Sequence, residues 1–338
     1  MFESLKDVPR LLLEQELRAI QGDRFQPTGF ADLGAADYRL HDGRRMLLVE
    51  SAQSVANHLE KTCLEGSGPD IAPELAGLPY VKAKLQGASD VETSSLIEAH
   101  RINSPFIISD PKFQTKFVNR SGCKKGRFAD WKKAAAALFY FDPNALLHGV
   151  FMVNLDARMR FPRAITGFVE ASDVMEAVSG GVKNNLFDPT GKIQAKEFQE
   201  KDVYSNVPYP RTEYTAASIR AYFNLDLALI AGYGLPEPAC DLLIALALFK
   251  VRRFLASGLR LRTACDLTPK RDMDVMAPAG FAVPGEAALL ARVQAGIQAC
   301  TNAGLFADPP VTIIECPVVV KTETVAATAG KKNKPAAG

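Results

Sequence analysis

The chain has 338 residues, 47% of them hydrophobic and 23% charged, so it is expected to fold around a sizeable core, in one large domain with insertions or two smaller ones. Its 40 basic and 38 acidic side chains leave a formal net charge of +2, so no class of partner follows from the total and only the local distribution of charge is informative. Early acids at the N-terminus and Asp241 inside the most apolar run, ACDLLIALALF, argue against a signal peptide or a membrane anchor. Six cysteines without a CxxC pair or a zinc-like histidine spacing point to reduced thiols in the cytoplasm.

In chain order, the apolar positions Leu5, Val8, Leu12, Leu13, Leu17 and Ile20 predict a short helix. A loop, RFQPTGF, follows at Arg24–Phe30, and then YRLHDGRRMLLVE, whose Asp-Gly pair predicts a hairpin turn into the strand MLLV. ESAQSVANHLEK predicts a helix with Ala52, Val55, Ala56 and Leu59 on one face. The Gly/Pro-containing stretch after it, about residues 66–90, reads as an insertion. VETSSLIEAHRI is expected to be helical. DWKKAAAALFYF is expected to be a helix capped by Asp130.

GVFMVNL then reads as a buried strand and ARMRFPRAITGFVEA as irregular structure passing into another. Residues 172–212 are expected to be a long loop or hairpin insertion, and EYTAASIRAYFNLDLALIAG and PACDLLIALALFKVRRFLAS to be two helices, the second stopped by Gly258. LRLRT alternates as a strand with Arg260 and Arg262 on one side. PGEAALLARVQAGIQAC predicts a last helix and VTIIECPVVV a final strand, before a basic, loose tail over residues 321–338. Interleaved strands and helices with large inserts predict an α+β core.

Charge is concentrated in three places. Lys112, Lys116, Arg120, Lys124, Lys125, Arg127, Lys132 and Lys133 face a single acid, Asp130, with Phe113, Phe117, Phe128 and Trp131 interleaved. Lys250, Arg252, Arg253, Arg260 and Arg262 form a second cluster, and Arg158, Arg160 and Arg163 a third. Cations neutralise phosphates while aromatic faces stack on bases, so together the clusters point to a nucleic acid. Taken singly, each arginine reads equally well as a solvated charge, and Phe113, Phe128 and Trp131 read better as packing anchors.

The runs RFQPTGFADLGAA, LLVESAQSVANHLE, EAHRINSPFI and FPRAITGFVEA lie in that order between Arg24 and Ala171. In combination they resemble the backbone subunit of type I-G (formerly type I-U) CRISPR effector complexes, a member of the repeat-associated RNA-recognition superfamily that coats guide RNA. The resemblance implies a modified RNA-recognition-motif (ferredoxin-like) palm with helical inserts and an extended thumb, in a single domain over residues 1–320. Either the basic stretch at 108–133 or the insertion at 172–212 is the thumb. It implies as partners the CRISPR guide RNA, target DNA through the guide duplex, adjacent copies of the chain, the other subunits of the complex and a recruited helicase-nuclease, with no cofactor and no membrane.

Carried onto this sequence, the resemblance makes Arg24 and Gln26 phosphate or sugar contacts, with Pro27 and Gly29 shaping their loop. Ser51, Gln53, Ser54 and Asn57 are expected on the RNA backbone or holding the loop that touches it. His100, Arg101 and Asn103 fit the same role, and Arg163 is expected beside the palm surface. Arg24, Gln53, Arg101 and Arg163 are the strongest of these, since the guanidinium fork suits bidentate phosphate contact.

Two other classes stay open. A metal-dependent ribonuclease would use Asp32, Asp266, Asp272 or Asp274, of which the DMD run is a weak metal signal. A structural scaffold would turn the basic clusters toward acidic protein partners. GSGPD and AGKKNK lack the residues of dinucleotide and phosphate loops, and His41, His58, His100 and His148 are too dispersed to suggest a metal centre. The expectation is a protein without catalytic activity.

Overall fold

The computed structural model describes residues 2–30, 32–85, 91–123, 129–153, 159–184, 186 and 206–316. The first elements are strands β1 (Arg10–Ala19), β2 (Gly29–Phe30), β3 (Gly34–Ala35), β4 (Asp37–Arg39) and β5 (Arg45–Glu50), then helix α1 (Ala52–Lys61). Strands β6 (Tyr80–Leu85) and β7 (Glu92–Ser94) precede helices α2 (Pro105–Ile108), α3 (Pro111–Ser121), α4 (Trp131–Phe141) and α5 (Pro143–His148). Next come β8 (Val150–Met152), β9 (Met159–Phe161), β10 (Ile165–Asn184), β11 (Asn206–Asp226), α6 (Leu227–Gly232) and α7 (Glu237–Ala256). The chain closes on β12 (Arg260–Arg262), β13 (Cys265–Pro269), β14 (Asp274–Ala277), α8 (Glu286–Asn302) and β15 (Val311–Cys316). This is an α+β architecture.

The main sheet runs β12-β13-β1-β11-β10-β5-β4, with β14 also paired to β1. Its central strands alternate strictly. Leu11, Leu13 and Leu17 of β1, Val169 and Ala171 of β10, and Ile219, Ala221, Phe223 and Leu225 of β11 are buried against the helices. The other face carries Glu14, Phe168, Glu170, Arg220 and Tyr222. Helix α7 lies in the core, packed on α1, α5, α6, α8 and β13, and is buried around most of its circumference. A second layer holds Phe113, Phe117 and Phe141 of α3 and α4 in mutual ring contact, with Trp131 stacked 4.0 Å from Phe161.

Several expectations change. The predicted first helix is the strand β1: its leucines at 11, 13 and 17 with Gln15 between them satisfy a period of two, and pairing to β11 on one side and β13 and β14 on the other decides for the strand. EYTAASIRAYFNLD is likewise strand rather than helix; only Leu227–Gly232 turns helical. VETSSLIEAHRI holds β7 and a single 3-10 turn at Arg101–Asn103. The stretch at 66–90 contributes β6, which pairs in parallel with β15 and antiparallel with β7.

Residues 108–133 are not a flexible loop where described. They form α3 and the start of α4, with Phe113 and Phe117 wholly buried as packing anchors. Residues 172–212 instead extend the β10–β11 ladder. β5 leaves β10 at Ser172 and β1 leaves β11 at Ile219, whereas β10 and β11 stay in one register out to Asn184↔Asn206. What emerges is a two-stranded arm whose Met175, Val178, Val182, Val207 and Tyr209 are exposed. Lys124, Lys125, Arg127, Arg158 and the tail at 321–338 lie outside the described residues.

The joint between α5 and β8 is Gly149, at φ +77°, where a Cβ would stand 2.8 Å from the Phe161 carbonyl oxygen and 3.0 Å from the Arg163 nitrogen. Only glycine fits both the backbone conformation and the space. Gly149→Ala is expected to destabilise the fold by about 2–3 kcal/mol, read as a lowered midpoint in urea unfolding with an unchanged m-value.

Candidate nucleic-acid interface

Two features lie near the start of α1. The first is an open cleft of about 840 Å³ between the 3-10 turn at Arg101, the α5–β8 joint and the β9–β10 connection. Its cationic lining is Arg101, Arg160 and Arg163, with His100 beside them, its apolar walls include Val150, Phe151, Phe161 and Pro162, and no carboxylate lines it among the described residues. The second is the arm base, where the RFQPTGF loop crosses.

That loop is stitched to three separate segments. Phe25, almost fully buried, exchanges backbone hydrogen bonds with Tyr214, Gln26 N–H donates to the Ala264 carbonyl, and Thr28 N–H to that of Val49. Gly29 sits opposite Ala35 in the small β2–β3 hairpin.

Two sets of side-chain contacts lie between the cleft and this loop, meeting at the turn from β5 into α1. Arg163 donates to Gln53 Oε1 and, at 3.4 Å, to the Ala52 carbonyl at the start of α1. Glu50, buried at the end of β5, binds Arg262, whose Nη1 donates to the Gln26 carbonyl at 3.1 Å. Arg211 Nε donates to Gln26 Oε1 at 3.0 Å and faces Glu213 at 3.5 Å. Arg24 lies 3.4 Å from the same Glu213 and donates to Ser179 Oγ of the arm. Arg24 and Arg163, 139 positions apart in the chain, thus belong to two sets that the short backbone segment from Glu50 to Gln53 connects. The arm base is braced further by Arg45, which joins Asp37 at 2.8 Å and Glu176 at 2.7 Å.

Several predicted contacts have internal duties. Arg101, at a left-handed φ of +51°, gives its fork to Glu60 at 2.6 and 3.0 Å and its third nitrogen to the Gly149 carbonyl at 2.9 Å. It holds the cleft wall, and its bidentate face is not free for a phosphate. Ser51 caps α1 by accepting from the Ser54 backbone N–H, which explains Ser51, and Gln53 donates to Asn57. Arg252 donates to the Val283 and Pro284 carbonyls, and Arg253 binds Glu74 and Glu286, so both dock α7 onto the start of α8 and the 3-10 turn at Pro73–Leu75.

Arg260 and Arg262 do not share a surface. A register shift between them leaves Arg260 largely exposed, 3.8 Å from Asp266, while Arg262 turns inward to Glu50 and burial lowers its pKa. Lys112, Lys116 and Arg120 are exposed on α3, Arg120 lying 3.3 Å over the Tyr140 ring beside a second, separate cleft. Arg160 is exposed at the rim of the first. Of the nuclease candidates, Asp274 binds Arg271 through both oxygens and Asp266 faces Arg260.

Residues the sequence reading missed are Glu50, Glu60, Arg211, Glu213 and His148. Nothing in their local spacing singles them out, because each is defined by a partner at least 40 positions away or by burial. The last sits with Lys250, Asn144 and Asp142 beneath the cleft, all four buried. Burial pushes the Asp142 carboxyl up to about 6, against the opposing pull of the Lys250 and Arg101 charges. Burial, then the charge of Lys250, holds His148 well below the usual histidine range.

These two groups oppose each other in acid. As pH falls below about 6.5 the unfolded chain protonates His148 while the folded chain does not, so stability is lost; from about 6 down to about 4 the folded chain protonates Asp142 first, which restores it. Asp142→Asn keeps the cap on Asn144 N–H and removes the second effect. The variant is expected to lose thermal stability more steeply than wild type between pH 6.5 and 4, as followed by circular dichroism.

Residues 11–176 match the family model described as CRISPR-associated protein GSU0053, just under half of the chain. No curated protein matches it. Among solved structures, a chain of "CRISPR RNA-guided surveillance complex, pre-nicking" is similar at 13% identity with a TM-score of 0.39, covering 77% of this chain and 73% of that one. "Crystal structure of Thermofilum pendens Csc2" is similar at 9% identity with a TM-score of 0.30, covering 87% of this chain and 77% of that one. Sequence similarity to a family of CRISPR-associated proteins therefore covers the loop at Arg24, helix α1, the cleft and the start of the arm.

Proposed function

We propose that the chain binds and coats CRISPR guide RNA as the repeated backbone subunit of a type I-G surveillance complex, presenting the guide's bases for pairing with target DNA. The observation that carries this reading is the cationic track made by two sets of side-chain contacts on either side of the β5–α1 turn, one at the cleft and one at the arm base. Among the described residues Arg262 meets Glu50, and Arg211 and Arg24 share Glu213, while Arg163 bonds neutral acceptors and lies in the field of Glu60, with the exposed Arg160 at the rim of the same cleft. A sugar-phosphate strand is the ligand that an extended cationic track suits, and the family match over residues 11–176 supports the assignment to a CRISPR complex.

On this reading the two-stranded arm is the thumb that interrupts the guide–target duplex, and the palm is a single domain over residues 1–320. Adjacent copies, the other subunits and a recruited helicase-nuclease are the partners. Cleavage belongs to that helicase-nuclease, and this chain contributes no catalytic step.

The test is to purify the chain from cells expressing the CRISPR array, sequence the nucleic acid it retains and measure RNA binding across a salt series. Short array transcripts are expected, with log K falling by about 0.7 per contacted phosphate for each unit of log salt. Arg24→Glu combined with Arg163→Glu is expected to reduce retention by roughly tenfold or more and to flatten the salt slope by about one to two. Association with proteins that is insensitive to salt and free of RNA would overturn the reading in favour of a scaffold; magnesium-dependent loss of target RNA would overturn the non-catalytic assignment.

A further inference from the structure

The small sheet β15-β6-β7 leaves one edge open. Val311–Cys316 of β15 pair in parallel with Tyr80–Leu85 of β6 without a register shift. The Tyr80 N–H donates to the Pro310 carbonyl, so the main-chain groups of Thr312 and Ile314 face β6 and those of Val311, Ile313 and Glu315 face away from it. No backbone group among the described residues pairs with that outer row. Native sheets ordinarily blunt such an edge by shortening it, bending it or placing lysine or proline on it. The terminal strands β4, β7 and β12 follow this rule, at three residues each. Strand β15 has six residues, none of them proline or lysine, and Ile313 near its centre is 57% exposed.

The open edge borders the second cleft, of about 710 Å³, with Val311 and Ile313 on one side and Lys116 and Arg120 of α3 on the other. Lys112, Lys116 and Arg120 recur every fourth residue and form one exposed stripe along the helix. No ion pair ties any of the three to a carboxylate among the described residues; Arg120 lies instead over the Tyr140 ring. The lining holds a single acid, Asp308, against its two cations. A row of N–H and C=O groups at the strand spacing is matched by another extended main chain, whereas a sugar-phosphate backbone does not repeat donors and acceptors in that way. The cations opposite are matched by carboxylates on that chain.

We propose that this edge docks an extended acidic segment of another polypeptide, which adds beside β15 as a fourth strand of the small sheet and sets its carboxylates against Lys116 and Arg120. Backbone pairing supplies the affinity, and charge supplies the selection. The surface shares no lining residue with the cleft assigned to RNA, so the docking site and the coating function are tested separately.

The test uses the purified full chain and a fluorescent decapeptide of alternating threonine and glutamate. Its comparators are a threonine–lysine peptide of the same length, the acidic peptide methylated along its backbone nitrogens, and a short oligouridine RNA. Anisotropy reads binding, and amide hydrogen exchange locates it. In the free chain the amides of Val311, Ile313 and Glu315 are expected to exchange fast and those of Thr312 and Ile314 slowly. The acidic peptide should slow exchange at Ile313 by about tenfold or more, and bind about tenfold or more tightly than the lysine or methylated peptide. Ile313→Pro removes one outward donor and leaves the bonds to β6 in place, and Lys116→Glu with Arg120→Glu reverses the facing charge. Each should weaken the acidic peptide by about tenfold in a chain with an unaltered melting profile. Should Ile313→Pro not fold, the methylated peptide tests the same bonds. Equal binding of the acidic and lysine peptides, binding that leaves Ile313 exchange unchanged, or no binding overturns the proposal and leaves the coating function standing. Slow exchange at Ile313 in the free monomer would assign the edge to the chain's own remaining residues, and slow exchange only where sedimentation shows dimers would assign it to a second copy. RNA that displaces the peptide and is itself weakened by Lys116→Glu with Arg120→Glu would assign the cleft to a nucleic acid. Each of these three results likewise overturns the proposal.

Discussion

The molecule is organised by one ladder of backbone hydrogen bonds, the antiparallel pairing of β10 with β11 from Ile165↔Leu225 to Asn184↔Asn206. Its first half lies at the centre of the main sheet, where one face is buried against helices. A slip of one residue would there exchange Ile165, Val169 and Ala171 for Thr166, Phe168 and Glu170. That burial fixes the register, and the same register is inherited by the outer half, which has no helices to enforce it. The two halves meet at Asp173, the one residue of β10 in a left-handed conformation, just before Val174, the last deeply buried side chain of the strand. The arm takes its direction from the core, because its root is part of the core.

The electrostatics follow from that arrangement. Side chains at the arm's root come from five separate parts of the chain, and arginine supplies most of the cross-links because its planar fork reaches two acceptors at once. Arg45 spans Asp37 and Glu176, Arg211 spans Gln26 and Glu213, and Arg101 spans Glu60 and Gly149. Exposed pairs of this kind add about 0–1 kcal/mol each and are screened by salt, whereas the Arg101–Glu60 pair is mostly buried and contributes mainly by fixing geometry. The basic clusters visible in the sequence therefore divide into two populations: cations consumed in holding the fold, and cations such as Arg160, Lys112 and Lys116 that point outward.

The sequence made some of this legible. Helix α1 with its serine cap, α4 with Asp130 at its start, α7 ending before Gly258, and the β4–β5 turn at Asp42–Gly43 all carry local signals, and each is present. The strands β1 and β11 were obscured because Leu12 is apolar yet outward, and because the Ala-rich run of β11 flows without a break into α6. Long-range pairing overrides such local ambiguity, and a single sequence does not display it. The same limit applies to the site. Arg24, Gln53 and Arg163 stand out by type and setting, while Glu60, Arg211 and His148 acquire meaning only from partners distant in the chain.

Helix α7 has apolar residues around nearly its whole girth, so close packing alone would tolerate several rotational settings about its axis. A lone ammonium changes that. Turning the helix by a single position would strand the charge of Lys250 among Leu246, Phe249 and Val251, away from Asn144 and His148. The buried cation thus acts as an indexing pin, setting the azimuth of the central helix against α5.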